Sequence, residues 1–87
     1  MKPVLPVLTR ISETPPCTPK EVKALMRRLR LNEKAFALVM NVTPMTVRLW
    51  TTGAARPCNL SRRLMQIYAR CPDVIDSIAA PPSSGEI

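Results

Sequence analysis

The sequence predicts an all-α protein, a compact bundle of four or five short helices. Three observations carry this. Apolar residues recur at helical spacing in separate segments, most segments open on a capping residue or on a proline suited to the first helical turn, and the links between segments are only a few residues long. Residues 1–17 come first and contain Pro3, Pro6, Pro15 and Pro16, which rule out a helix. They read as a Pro-rich extended arm, with a short strand at residues 4–8 as the most order it could hold and disorder as the alternative.

Order begins at Thr18. Thr18 and Glu21 form a capping box with Pro19 at the first helical position, and Val22, Leu25, Met26 and Leu29 then follow at i, i+3, i+4 and i+7, predicting a helix over residues 19–30. Asn32 caps a second helix over residues 33–40, with Phe36, Ala37, Val39 and Met40 facing inward. Asn41 ends it, because asparagine tolerates the left-handed conformation that a sharp turn needs.

The third helix is marked at both ends. Thr43 is its cap, Pro44 suits its first position, and Gly53 supplies the left-handed terminus. Val47 and Trp50, three apart, bury on one side, while Met45, Arg48, Leu49 and Thr52 fall on the other. So short a helix is unstable alone and makes sense only when packed on a scaffold. Pro57 introduces a fourth helix over residues 58–70, with Leu60, Leu64, Ile67 and Tyr68 at helical spacing. Pro72 opens a shorter fifth helix carrying Val74, Ile75 and Ile78, and Pro81-Pro82-Ser83-Ser84-Gly85 ends the ordered part. The expected organisation is an arm at 1–17, one domain at 18–80 and a disordered tail at 81–87.

Charge narrows the function. The 87-residue chain has a formal net charge of +7, and between Thr18 and Cys71 eleven Lys and Arg residues face only Glu21 and Glu33. So dense a basic field on one small domain points to a polyanionic partner. Histidine is absent, the usual general base with it, and the six acidic residues are scattered without a Gly-rich phosphate loop. The expectation is therefore no enzyme, no catalytic residue and no cofactor. Cys17, Cys58 and Cys71 are widely spaced, with no Cys-x-x-Cys pair, which implies reduced thiols rather than a disulfide framework or a metal site. The first eight residues are too short and too proline-broken for a signal-peptide core, and nothing approaches the ~20 apolar residues of a membrane span. A cytoplasmic protein with no membrane partner is expected.

Two short helices joined by a tight turn, residues 33–52, resemble the DNA-binding helix-turn-helix. Ala37 matches the small residue of its first helix, Asn41 replaces the usual turn glycine, and Val47 and Trp50 match the two buried positions of its second helix. The stretch from Thr18 to Ile78, about two-thirds of the chain, is similar to the phage-repressor-like (Cro/cI-type, XRE-like) family. Within it the chain looks closest to small regulators that read Val-Ser-x-x-Thr-Val-x-x-Trp-Glu-x-Gly followed by Arg-Pro. Here the corresponding residues are Val42-Thr43-Pro44-Met45-Thr46-Val47-Arg48-Leu49-Trp50-Thr51-Thr52-Gly53 and Arg56-Pro57. Such regulators include antitoxins that repress their own operons and autorepressors encoded beside anti-CRISPR genes. The chain departs from the pattern at three positions. Glu33 stands where the family often has a phosphate-binding Gln, and a carboxylate there repels phosphate. Thr51 replaces the Glu after the tryptophan, and Leu49 occupies a position that is often a base-facing Arg or Gln.

The resemblance implies that the second motif helix enters the major groove of double-stranded DNA. Met45, Arg48, Leu49 and Thr52 are then the candidate base contacts. Arg48 alone among them can make the bidentate contact to guanine, or it can pair with a phosphate instead. Met45 and Leu49 either touch thymine methyl groups or pack on a neighbouring helix. Thr43, Thr46, Arg56 and Lys34 are the candidate phosphate contacts, Thr43 and Thr46 near the positive end of the helix dipole and the other two as flanking cations. At least two of Arg27, Arg28, Arg62 and Arg63 read as solvated faces. One helix-turn-helix reads few base pairs, so a homodimer on a palindrome is expected, with Val74, Ile75 and Ile78 as the candidate interface and strand pairing by the arm as the alternative.

The leading expectation is a sequence-specific, dimeric transcriptional autorepressor. Competing with it are an antitoxin-type module, in which the arm or tail masks a toxin and DNA binding is secondary, and an RNA-binding or nucleoid-type protein without sequence preference. With only Phe36, Trp50 and Tyr68 as aromatics, all at core positions, there is no platform for stacking single-stranded bases.

Overall fold

The structure, a computed structural model, describes residues 11–79; the possible strand at 4–8 and the tail at 81–87 lie outside the described residues. Among the described residues it is an all-α bundle of five short helices: α1 (Pro19–Leu29), α2 (Glu33–Met40), α3 (Pro44–Thr52), α4 (Asn59–Arg70) and α5 (Val74–Ala79).

Local chemistry sets most of the boundaries. The Thr18 hydroxyl accepts from the Glu21 amide at 3.3 Å while the Glu21 carboxylate accepts from the Thr18 amide at 2.9 Å, closing the capping box. Asn32 accepts from the Ala35 amide at 2.8 Å to start α2. Asn41 ends α2 with φ 58° and ψ 46°, and the Val42 amide returns to the Ala37 carbonyl at 2.9 Å. Gly53 ends α3 at φ 82°. Two further left-handed residues, Arg30 at φ 58° and Cys17 at φ 53°, are not of a type that announces the conformation. The Leu31 amide donating to the Met26 carbonyl at 2.9 Å helps hold Arg30 there.

The core consists of Cys17, Val22, Phe36, Ala37, Met40, Val47, Trp50, Met65 and Tyr68, with Leu25, Met26, Leu29, Val39, Leu64 and Ile75 packed against it. The Tyr68 hydroxyl, buried with its ring, donates to the Val39 carbonyl at 2.8 Å, which satisfies a polar group that would otherwise oppose burial. Burial raises the Tyr68 phenol and Cys17 thiol pKa values above their ordinary range.

On α4 the inward face is rotated from the expected one. Leu60 and Ile67 are 79% and 41% exposed, whereas Met65 and Tyr68 are buried and Leu64 is half-buried. Gln66 also turns inward, because its amide finds partners: Nε2 donates to the Glu13 carbonyl at 3.0 Å, and Oε1 accepts from Arg63 Nη1 at 2.6 Å. The same Arg63 nitrogen donates to the Ser12 carbonyl at 3.0 Å, and Arg70 Nη2 donates to the Ser12 hydroxyl at 3.2 Å. Residues 11–17 are thus irregular but laid along α4, with Cys17 in the core.

Candidate nucleic-acid interface

α3 packs mainly on α2 and α1. Val47 and Trp50, 0% and 4% exposed, fix its inner face. Its start is held by Thr43, whose hydroxyl accepts from the Thr46 amide at 3.2 Å and lies 3.0 Å from the Thr46 hydroxyl. Pro44 at the first position carries no amide proton, so the positive end of the helix keeps few free donors beyond the Met45 amide. Gly53 sits against α1: a Cβ there would lie 3.4 Å from Pro19 Cγ.

The outer face holds the four side chains expected there. Met45 is 62% exposed and Leu49 37%, so neither is sealed against a neighbouring helix. Arg48 and Thr52 are also exposed. The Thr52 hydroxyl donates back to the Arg48 carbonyl at 2.8 Å, which leaves its oxygen free to accept but commits its proton. Thr43, Lys34 and Arg56 are exposed and Thr46 is half-buried.

One neighbour escaped the sequence reading. Glu33, the first residue of α2, accepts from Arg48 Nε at 3.3 Å and from Arg48 Nη2 at 3.1 Å. The Arg48 side chain is 63% exposed and that of Glu33 33%. The two residues are fifteen apart in sequence, and the signal that could have joined them is the helix-turn-helix geometry, which lays the start of the first helix beside the middle of the second. The carboxylate that stands where a phosphate ligand was expected is therefore occupied by an arginine of the outer face.

Among the other arginines, Arg27 and Arg28 are exposed on α1, Arg62 Nη2 bonds Asn59 Oδ1 within α4, and Arg63 ties down residues 12–13. Arg63 is thus a structural residue rather than a solvated one. Of the candidate interface residues, Ile75 packs against the core while Val74 and Ile78 are 37% and 55% exposed. Ile75 and Ile78 line an apolar groove with Leu31, Ala35, Leu38 and Val39 from the α2 side; Val74 does not. Helical periodicity singled out neither Leu38, which is 75% exposed, nor its groove neighbours Leu31 and Ala35.

Among the described residues no group of three His, Cys, Asp or Glu could hold a metal ion, and no helix is long and apolar enough to cross a membrane. The Cys58 thiol, exposed ahead of α4, has its pKa lowered by hydrogen bonds from Ser61, 3.4 Å away. No protein-family model matches the chain, and no curated protein matches it.

Proposed function

We propose that this protein is a sequence-specific, double-stranded DNA-binding transcriptional regulator, a cytoplasmic dimeric autorepressor that occludes a promoter at a palindromic operator. The observation that carries the reading is α3: capped at both ends, anchored by buried Val47 and Trp50, and presenting exposed Met45, Arg48, Leu49 and Thr52 on a strongly basic domain. A helix of this width fits the major groove, where Arg48 would address guanine and Met45 and Leu49 thymine methyl groups. Arg56, Lys34, Thr43 and Thr46 would neutralise or bind phosphates and fix the register. The apolar groove between α2 and α5 supports dimerisation through Ile75 and Ile78, with Leu38 added.

The same groove also favours a second reading, an antitoxin-type module whose apolar surface engages a different protein. Co-purification with a partner protein of comparable size tests the second reading, and a footprint of the purified protein on DNA upstream of its own gene tests the first. The repressor reading expects two protected half-sites ~34 Å apart and resistance to competition by random duplex at ~10³-fold excess. Uniform, fully competed binding would exclude it.

A further inference from the structure

The Arg48–Glu33 pair uses only one side of the guanidinium. The carboxylate takes the Nε and Nη2 edge, at 3.3 and 3.1 Å, and among the described residues no other group accepts from Arg48. Of the five N–H bonds, the two of Nη1 and the outward one of Nη2 remain, and the outward one of each nitrogen forms the end-on fork whose spacing matches two adjacent acceptors. Glu33 is the more sheltered partner, and its carboxylate lies at the N-terminal end of α2, where the helix dipole favours negative charge. It is the less exposed member of the pair, and the arginine is oriented against it.

We propose that Glu33 is a specificity-determining residue of the DNA site, holding Arg48 by its inner edge so that the outer edge addresses guanine while the charge of Arg48 toward backbone phosphates is cancelled. The inference rests on the α3 outer face entering a duplex groove. Its physical basis is the difference between the two competing ligands. A phosphate attracts an arginine through net charge, and a carboxylate 3.1 Å from the guanidinium repels the same phosphate and so offsets much of that attraction. Guanine offers two neutral acceptors, O6 and N7, and needs correctly placed donors rather than net charge. The pair therefore lowers affinity for arbitrary duplex more than affinity for a site with guanine opposite Arg48. Glu33, which taken alone only repels DNA, becomes a device that makes Arg48 selective.

The test measures binding of wild type, Glu33→Gln, Arg48→Ala and the double variant to a site selected from a random duplex pool and to random duplex, across a salt series. For Glu33→Gln we expect tighter binding to random duplex, a salt slope steeper by about one unit, and a specificity ratio reduced about tenfold. In the Arg48→Ala background the same change should leave the ratio unaltered. An undiminished ratio in Glu33→Gln overturns the proposal and assigns Glu33 a general repulsion only, and a loss that persists without Arg48 overturns it as well, because Glu33 then acts independently of Arg48. If wild type enriches no sequence from the pool, the DNA-reading assignment itself falls and takes this inference with it. Arm by arm, the Arg48 Nε–H resonance of the free protein provides a readout independent of DNA. It should be shifted and slow to exchange in wild type and ordinary in Glu33→Gln, and an ordinary resonance in wild type overturns the pairing.

Discussion

Helices α3 and α5 both expose large apolar side chains, yet they are built in opposite ways. α3 has nine residues, a threonine cap, a glycine terminus and two fully or nearly buried anchors. α5 has six residues and no buried residue, and reaches the core only through half-buried Ile75. The difference is physical as much as geometric. A helix fixed at both ends and underneath can hold exposed side chains in one orientation, which is what reading base edges requires. A helix with an apolar outer face and weak anchoring gains order from whatever covers it. The first kind of surface suits a rigid, polar target, and the second suits a partner that buries it.

Trp50→Ala should break this contrast most severely. Removing the ring from under α3 is expected to cost about 3–5 kcal/mol, enough to unfold much of a small domain, in denaturant titrations. A loss below about 1 kcal/mol would mean that α3 is not anchored as described. Gly53→Ala should cost about 1–2 kcal/mol, because alanine resists φ +82°, while its Cβ would make only an ordinary contact with Pro19 Cγ at 3.4 Å. Ile78→Asp, on the contrasting helix, should leave monomer stability within about 0.5 kcal/mol while shifting dimer to monomer in sedimentation. An unchanged dimer would move the interface away from the α2/α5 groove.

Alkaline pH probes the core through two of its members. Cys17 and Tyr68 have folded-state pKa values raised above the ordinary 9.0 and 10.0, so the stability they contribute is complete below those values. It is lost as pH rises through the folded values. The melting temperature should therefore fall above about pH 9, and a flat profile to higher pH would place these groups nearer solvent. The smallest expected effect is that of Arg56→Ala, which should leave the fold intact and lower the slope of log affinity against log salt by about one unit. An unchanged slope removes Arg56 from the phosphate contacts.

The elements legible in the sequence are those fixed by local chemistry. Thr18 with Glu21, Asn32, Asn41, Thr43 and Gly53 act within a few residues of themselves, so helix boundaries and the tight turn could be read directly. The buried pair Val47 and Trp50, and hence the outer face of α3, followed from spacing alone. What was not legible depends on distant partners. The rotation of α4 is linked to backbone carbonyls of Ser12 and Glu13, more than fifty residues away, that accept from Arg63 and Gln66. With Leu60, Leu64, Met65, Ile67 and Tyr68 spread around that helix, periodicity offers more than one inward face. Arg30 and Cys17 adopt left-handed backbone without the residue type that signals it. The Arg48–Glu33 pair joins two helices, and only their mutual placement reveals it.

The most direct test of the account is an amide-resonance titration of the labelled protein with short duplex DNA. Thr43, residues 45–52 and Arg56 should shift first and most, with α5 and the groove residue Leu38 largely unaffected at the same DNA concentrations. Shifts absent altogether, or confined to α5 and the α2/α5 groove, would contradict the assignment of α3 as the surface that meets DNA.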